Sequence, residues 1–235
     1  MGMEIADRSA FKERMNGALG LDPAETVALT VDMQREYLDA SVGQSVVEPA
    51  AAERVLTAAK SFLDGCRSLG IPVIHAYVVR RQEELDAGLH TGGLAYNIVG
   101  RDIEASQLPH LPVRTRGDRV AGSPESLVPE QLQEPTDVHV TTKKSLDGFS
   151  GTDLEFLLQR TYRAKNVLLS GINTDTCVYS TTFTAANLGY TPVVVSDCVA
   201  SMRGQDSHEM ALELMARSIA WVMPGDDVLA LLRAE

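Results

Sequence analysis

The sequence predicts a three-layer α/β/α fold, Rossmann-like, in which a central, mostly parallel six-stranded sheet lies between two layers of helices. The first observation is that short runs rich in Val, Ile and Leu alternate with longer helical stretches from residue 26 to the end. The second is that these runs are almost continuously apolar, which is typical of parallel strands covered on both faces. Strand–helix alternation then favours βαβ units over separate all-α or all-β domains.

Each predicted strand is an apolar run bounded by polar or turn residues, and each predicted helix has a start or a stop signal. The six predicted strands are Thr26–Asp32, Ile71–Val79, Asp137–Thr142, Asn166–Ile172, Thr191–Asp197 and Ala220–Met223. Helices are predicted from Glu48 to Leu69, from Thr152 to Tyr162, from Asp175 to Leu188 and from Asp206 to Ile219.

Two segments depart from this alternation. Residues 1–25 predict an N-terminal helical arm that packs on the domain or on a second subunit, because four apolar residues share one helical face: Ala10, Phe11, Met15 and Leu19. Residues 26–235 are predicted to form a single domain. Within it, residues 80–136 connect two strands over a far longer stretch than usual, which favours a long loop or a lid insertion.

Composition excludes several classes of protein. The chain has 235 residues and a net charge of −11, which argues against nucleic acid or an anionic membrane as the main partner. The three cysteines, Cys66, Cys177 and Cys198, show no CxxC spacing and point to a reducing compartment. No stretch is apolar for the ~18 residues that a membrane span needs, and the N-terminus has no secretory pattern, so a cytoplasmic location is expected.

An acid, two ammonium groups and a thiol stand at predicted strand ends. Asp32 ends the first strand, Lys143 and Lys144 follow the third, and Cys177 lies in the first turn of the helix after the fourth. Ligands of open α/β sheets bind outside the carboxyl ends of the strands, so these groups are expected to converge. A helix start and a nearby lysine would favour the thiolate, and a carboxylate could accept its proton. Taken singly, each residue could instead be a buried hydrophobe, a cap or a solvated charge.

Three motifs resemble the isochorismatase-like cysteine hydrolase superfamily, which includes nicotinamidase, N-carbamoylsarcosine amidohydrolase, biuret hydrolase and ureidoacrylate hydrolase. They are DMQREY from Asp32, KKSLDGFSGTDL from Lys143, and SGINTDTCVYSTTFTAANLGYTPVVVSDCVAS around Cys177, and the resemblance spans about residues 26–230. It implies a catalytic triad of Asp32, Lys143 and Cys177. The lysine is Lys143 and not Lys144 because the family's lysine stands six residues before a phenylalanine, here Phe149.

The resemblance also implies a reaction. A cis peptide between Ile172 and Asn173 would turn the Asn173 N–H inward beside that of Cys177, and these two backbone groups would form the oxyanion hole. The thiolate would attack a small carboxamide, ureide or N-carbamoyl acid, form a thioester, and release ammonia or an amine. True isochorismatases cleave a vinyl ether and lack the cysteine, so Cys177 indicates cleavage of a C–N bond.

Four further residues are predicted to bind substrate, each with an alternative. Gln34 bonds the loop of Asp32 or the substrate, and the Tyr37 hydroxyl makes a polar contact in the pocket or meets water. Phe149 lines the wall near the lysine or belongs to the core. Arg203 follows the fifth strand, as does the arginine that holds the substrate carboxylate in carbamoylsarcosine hydrolases; the alternative is a surface loop arginine.

No metal and no cofactor is expected, because the stretch Val-Val-Arg-Arg-Gln-Glu at residues 78–83 lacks the Asp-x-His of metal-dependent nicotinamidases. The predicted partner is a small amide or ureide, and the resemblance implies a homodimer or homotetramer. Alternatives are a nicotinamidase-type or other hydrolase of this family, a non-catalytic binding protein on the same fold, and a thiol-redox protein. The last is weakened by the lack of a resolving cysteine near Cys177.

Overall fold

The computed structural model describes residues 6–87, 103, 108–113, 115–116 and 118–234. The start of the predicted arm and part of the predicted 80–136 insertion therefore lie outside the described residues. No helix within the described ranges is long and apolar enough to cross a membrane.

A six-stranded sheet forms the centre, and every pair of neighbouring strands is parallel. The strands are β1 Thr26–Val31, β2 Val73–Val78, β3 Val138–Lys143, β4 Asn166–Ile172, β5 Thr191–Ala200 and β6 Trp221–Met223. Their order in the sheet is β3-β2-β1-β4-β5-β6. The order reverses between β1 and β4, and it is at such a reversal that an open α/β sheet leaves room for a ligand.

Helices cover both faces of the sheet, as the sequence predicts. The helices are α1 Ser9–Asn16, α2 Arg35–Leu38, α3 Pro49–Ser68, α4 Gln82–Asp86, α5 Leu154–Phe156, α6 Tyr179–Asn187, α7 Gln205–Ser218 and α8 Gly225–Arg233. Wider π turns extend α5 through Leu157–Thr161 and precede α6 at Thr174–Val178. Helices α3 and α8 pack on one apolar core, and α5, α6 and α7 pack on the other. Successive β1 residues alternate between them: Ala28 faces the first core, and Val27 and Leu29 face the second.

Some predicted boundaries are wrong. Strand β5 runs to Ala200, three residues past the predicted end at Asp197, and its pairing with β4 shifts register after Leu169. Helix α1 ends at Asn16, so Leu19 lies beyond the predicted amphipathic helix. None of the residues of α1 is buried, and the helix is held to the domain by polar contacts such as Lys12–Glu213 at 2.7 Å.

Helix α8 is not among the predicted helices. Its signals are modest: Pro224 precedes it, two aspartates stand in its first turn, and the buried Val228, Leu229 and Leu232 recur at helical spacing. This helix packs beside α3 and completes the core on that face of the sheet.

The described part of the 80–136 segment packs on the domain. Arg80 and Val120 form an isolated parallel bridge just past the end of β2. Short 3₁₀ turns follow at Pro124–Ser126 and Glu130–Leu132, and Val128 and Leu132 are buried in the core. The bridge carries this stretch of the segment to the carboxyl edge of the sheet.

Gly171 sets the path of the chain between β4 and the helix that follows. Its φ is 137°, and a Cβ at this position would lie 2.0 Å from the Val31 carbonyl oxygen of β1. We expect Gly171→Ala to lower the free energy of unfolding by more than about 3 kcal/mol in urea denaturation. Gly189→Ala is the matched control, because its φ is 87° but no atom lies within 4 Å of the added Cβ. It should cost only about 1–2 kcal/mol, and equal losses would contradict the steric argument.

Candidate active site

A buried ion pair joins two strand ends at the carboxyl edge of the sheet. Asp32 follows β1, and Lys143 is the last residue of β3; both are completely buried. The Lys143 Nζ lies 2.6 Å from Asp32 Oδ2 and also donates to the Ser145 carbonyl at 2.6 Å. The other carboxylate oxygen, Oδ1, accepts from the Val78 N–H at 3.1 Å. The carboxylate is therefore held from two sides in one orientation.

The backbone of Asp32 is left-handed, with a φ of 49°. Non-glycine residues seldom adopt this conformation, although aspartate does so more readily than most. Strained backbone of this kind concentrates at functional sites. Here it lies at the residue whose side chain meets the lysine.

Cys177 lies in the π turn at the start of the helix after β4 and is almost completely buried. The pKa of the Cys177 thiol is raised to about 12, mainly because the thiol is buried. The Asp32 carboxylate also raises this pKa, through its negative charge and as a hydrogen-bond acceptor, whereas the positive charge of Lys143 lowers it. The effect of the lysine has the predicted direction, but desolvation by burial outweighs it, so the net shift of the pKa is upward. The hydrogen bond between the thiol and the Asp32 carboxylate favours the protonated thiol.

The turn before Cys177 has the cis peptide that the resemblance implies, between Ile172 and Asn173. The Asn173 side chain is buried, and its Oδ1 accepts from the Met202 N–H at 2.8 Å. This bond fastens the turn after β4 to the loop after β5. Asn173 and Cys177 thus belong to one turn at the carboxyl edge of the sheet, and this turn is tied to the loop after β5.

Gln34 and Tyr37 both make contacts with the 80–136 segment. The Gln34 Nε2 donates to the Val78 carbonyl at 2.9 Å and to the Ser126 carbonyl at 2.7 Å. Its Oε1 is buried with no hydrogen-bond partner among the described residues. The Tyr37 hydroxyl accepts from Arg119 Nη1 at 2.6 Å. The Gln34 amide nitrogen is therefore hydrogen-bonded to two backbone carbonyl groups, and the Tyr37 hydroxyl is hydrogen-bonded to the charged side chain of Arg119.

Phe149 and Arg203 each have partners within the protein. The Phe149 ring stacks on Tyr190, with 6.1 Å between ring centroids, in the apolar cluster that also contains Cys177. The Arg203 Nη1 lies 3.3 Å from Asp175 Oδ2, two residues before the cysteine. Stacking on Tyr190 supports the core alternative for Phe149, whereas the substrate contact of Arg203 stays a prediction.

Lys144 points away from the ion pair. Its Nζ lies 3.0 Å from Glu84 Oε2 in α4 and also contacts the Val79 carbonyl oxygen. Of the two adjacent lysines, Lys143 is therefore the one that contacts Asp32. No group of three or more His, Cys, Asp and Glu side chains in the described ranges is arranged to hold a metal ion.

Sequence reasoning missed Arg119, the buried partner of Tyr37. Its side chain forms a two-point ion pair with Asp118, through Nε and Nη2 at 2.9 Å each. Burial raises the pKa of Tyr37, the charge of Arg119 lowers it, and the charges of Asp32 and Cys177 raise it further. The tyrosine and the arginine thus belong to the same electrostatic environment as Asp32 and Cys177. The only local signal is the arginine-rich stretch VRTRGDRV at residues 113–120, and it does not show which arginine turns inward.

Comparison with known proteins identifies the family. A family model described as the isochorismatase domain matches residues 26–227. The chain belongs to the isochorismatase family. This isochorismatase-family hydrolase is 26% identical to the ureidoacrylate amidohydrolase RutB of Rhizobium rhizogenes over 214 residues, which cover 89% of this chain and 84% of the relative. It is 36% identical over 111 residues to the isochorismatase family protein PncA of Bacillus subtilis, covering 47% of this chain and 59% of the relative.

Solved structures share the fold. A cysteine hydrolase from Pseudomonas syringae pv. phaseolicola superposes with a TM-score of 0.73 at 20% identity, covering 92% of this chain and 96% of that one. Nicotinamidase PncA from Bacillus subtilis superposes with a TM-score of 0.65 at 20% identity, covering 85% of this chain and 99% of that one. At this identity these two matches establish the architecture, and the chemistry has to be argued from the site.

Proposed function

We propose that this isochorismatase-family hydrolase is a cysteine-dependent amidohydrolase that cleaves a C–N bond of a small carboxamide, ureide or N-carbamoyl acid through a thioester at Cys177. The observation that carries the proposal is the completely buried Lys143–Asp32 pair, at 2.6 Å, beside the buried thiol of Cys177. A buried pair of this kind is costly to desolvate and weak as a source of stability, so a role in chemistry explains it better.

The proposed reaction begins with proton transfer from the Cys177 thiol to Asp32, because a thiol with a pKa of about 12 needs an adjacent base to react near neutral pH. The sulfur attacks the substrate carbonyl carbon, and the backbone N–H groups of Asn173 and Cys177 stabilise the oxyanion. Asp32 returns the proton to the leaving nitrogen as the C–N bond breaks. Ammonia or an amine departs, and water hydrolyses the thioester. Lys143 stays charged and holds the Asp32 carboxylate in position.

The relatives' names suggest which C–N bonds to test. Several RutB ureidoacrylate amidohydrolases align over most of this chain at 25–28% identity, which supports a ureide substrate. The likeness to PncA supports a nicotinamidase-type carboxamide hydrolase as the second candidate. A non-catalytic binding protein is disfavoured, because the three groups of the proposed triad are all present and in mutual range.

A substrate panel tests the proposal. Ammonia release is measured with 3-ureidoacrylate, 3-ureidopropionate and nicotinamide, before and after alkylation of Cys177 with iodoacetamide. We expect turnover of at least one ureide or carboxamide, and its loss in proportion to the labelling of Cys177 by peptide mass spectrometry. Turnover that survives complete alkylation of Cys177 would contradict the thioester mechanism. Release of neither ammonia nor amine across these chemical classes would favour the binding-protein alternative.

We also propose a cytoplasmic location and assembly as a homodimer or homotetramer. All three cysteines are free and buried, as is usual in a reducing compartment. Several large apolar side chains are exposed on α5, α6 and α7, namely Phe156, Phe183, Met210 and Leu214, and such a surface supports self-association. Light scattering of the purified protein gives the subunit number.

A further inference from the structure

The turn that carries Cys177 is tied to the segment after β5 by three side-chain contacts. These contacts start from three successive residues of the turn, and each reaches a different residue between 202 and 208. They are Asn173 Oδ1 with the Met202 N–H at 2.8 Å, Thr174 Oγ1 with His208 Nδ1 at 2.8 Å, and Asp175 Oδ2 with Arg203 Nη1 at 3.3 Å. The π turn also packs against α7, the helix that carries His208.

The contact between Thr174 and His208 joins two side chains that are both shielded from water. Thr174 is completely buried, and only 6% of His208 is exposed. Burial and the charge of Arg54 lower the pKa of His208, and this outweighs the opposite effect of Glu209 and Asp175, so the imidazole is uncharged near neutral pH. A buried hydrogen bond between neutral groups is costly to leave unmade, because water cannot replace the missing partner.

Thr174 lies between the two backbone groups that the proposed reaction uses. The N–H groups of Asn173 and Cys177 are proposed to stabilise the oxyanion, and the Asn173 carbonyl accepts from the Val178 N–H at 3.0 Å across the same turn. The donors of an oxyanion hole are effective only when they are held at the position where the negative charge develops. A side-chain contact at Thr174 therefore limits how far both donors can shift.

We propose that His208 is a positioning residue for the reaction at Cys177, which acts through Thr174 and holds the oxyanion-binding turn in its reactive geometry. This proposal rests on the proposed function, because it concerns the same cysteine. The effect of His208 is expected in kcat and not in KM, since the oxyanion forms only after the substrate has bound.

Thr174→Val and His208→Leu test the proposal by removing one partner each. Ammonia release is measured with those of 3-ureidoacrylate, 3-ureidopropionate and nicotinamide that the wild-type protein turns over. We expect each variant to lower kcat about 10- to 100-fold, the loss expected when a reacting geometry shifts by up to about 1 Å, and to leave KM within about twofold. The double variant should lose no more than about as much as either single variant, because one contact is removed in all three.

Conservative variants separate this role from a general loss of packing. His208→Asn should keep kcat within about threefold of the wild type, because an asparagine amide can place a hydrogen-bonding atom where the imidazole has Nδ1. Thr174→Ser should do the same, since it keeps the hydroxyl. If His208→Leu does not fold, the comparison of Thr174→Val with Thr174→Ser decides.

Thr30→Val is the matched control. Thr30 Oγ1 lies 2.7 Å from His75 Nδ1, and both residues are buried, so the same kind of threonine–histidine pair is broken. The other ring nitrogen of His75, Nε2, lies 3.2 Å from Asp137, which precedes β3, so this pair is connected to the opposite edge of the sheet. Thr30→Val should lower the free energy of unfolding in urea to a similar extent as Thr174→Val and leave kcat within about twofold of the wild type.

The outcomes separate the two proposals. An unchanged kcat in Thr174→Val, or an equal loss of kcat in Thr30→Val, overturns the positioning role and leaves the cysteine mechanism standing. A rise in KM alone also overturns it, and so does an equal loss of kcat in the conservative variants. If the wild-type protein turns over none of the three compounds, the proposed function itself fails, and the positioning role fails with it.

Discussion

Cys177→Ala is expected to lower kcat/KM by about 10⁴-fold or more on any amide or ureide that the wild-type protein hydrolyses, because no other group can form the thioester. The residue is 4% exposed and its side chain is small, so the loss of one sulfur should change stability far less than activity. Steady-state ammonia release and the urea midpoint of unfolding, measured on the same preparation, separate the two effects. If the alanine variant kept the kcat/KM of the wild type, the covalent mechanism would be contradicted.

Cys198→Ala provides the matched control for this experiment. Cys198 is also completely buried, and burial, together with the neighbouring Asp197, raises the pKa of its thiol well above the ordinary value. It belongs to the core that packs α3 and α8, opposite to the cluster that contains Cys177. The substitution should therefore cost some stability and leave kcat/KM near that of the wild type.

The pattern of apolar runs predicts the sheet because parallel strands covered on both faces have a distinctive composition. All six predicted strands form, and β4 has the predicted bounds, Asn166–Ile172. The strand-end rule then brings Asp32 and Lys143 together although they are 111 residues apart in sequence. The sheet and the meeting of Asp32 with Lys143 could both be predicted because the strand topology alone places the strand ends along one edge, whatever the details of packing.

Properties that depend on packing could not be predicted in the same way. The contact between Arg119 and Tyr37 joins residues 82 apart, through a segment with no regular periodicity that could place its side chains. The net rise in the pKa of Cys177 could not be predicted for a related reason. A helix start is visible in the sequence, whereas the burial that outweighs it arises only when the turn packs against the sheet.

Lys143→Met is expected to abolish turnover and to lower the free energy of unfolding by about 3–5 kcal/mol, because it leaves the Asp32 carboxylate buried without its partner. Asp32→Asn should also abolish turnover, since it removes the proposed base. The control is Lys144→Met, which breaks a partly exposed pair with Glu84 at 3.0 Å and a contact with the Val79 carbonyl oxygen. It should change stability by less than about 1 kcal/mol and leave kcat/KM unchanged. The opposite result for the two lysines would show that the wrong one was assigned to the triad.

The double variant Asp32→Asn/Lys143→Met separates the structural cost of the pair from its chemical role. With both charges removed, no uncompensated ion stays in the core, so the free energy of unfolding should recover much of what Lys143→Met loses. Turnover should not recover, because the base is absent. Recovery of stability without activity is the result expected of a pair retained for catalysis. Stability losses that simply add would show instead that the two side chains do not interact, contrary to their 2.6 Å contact.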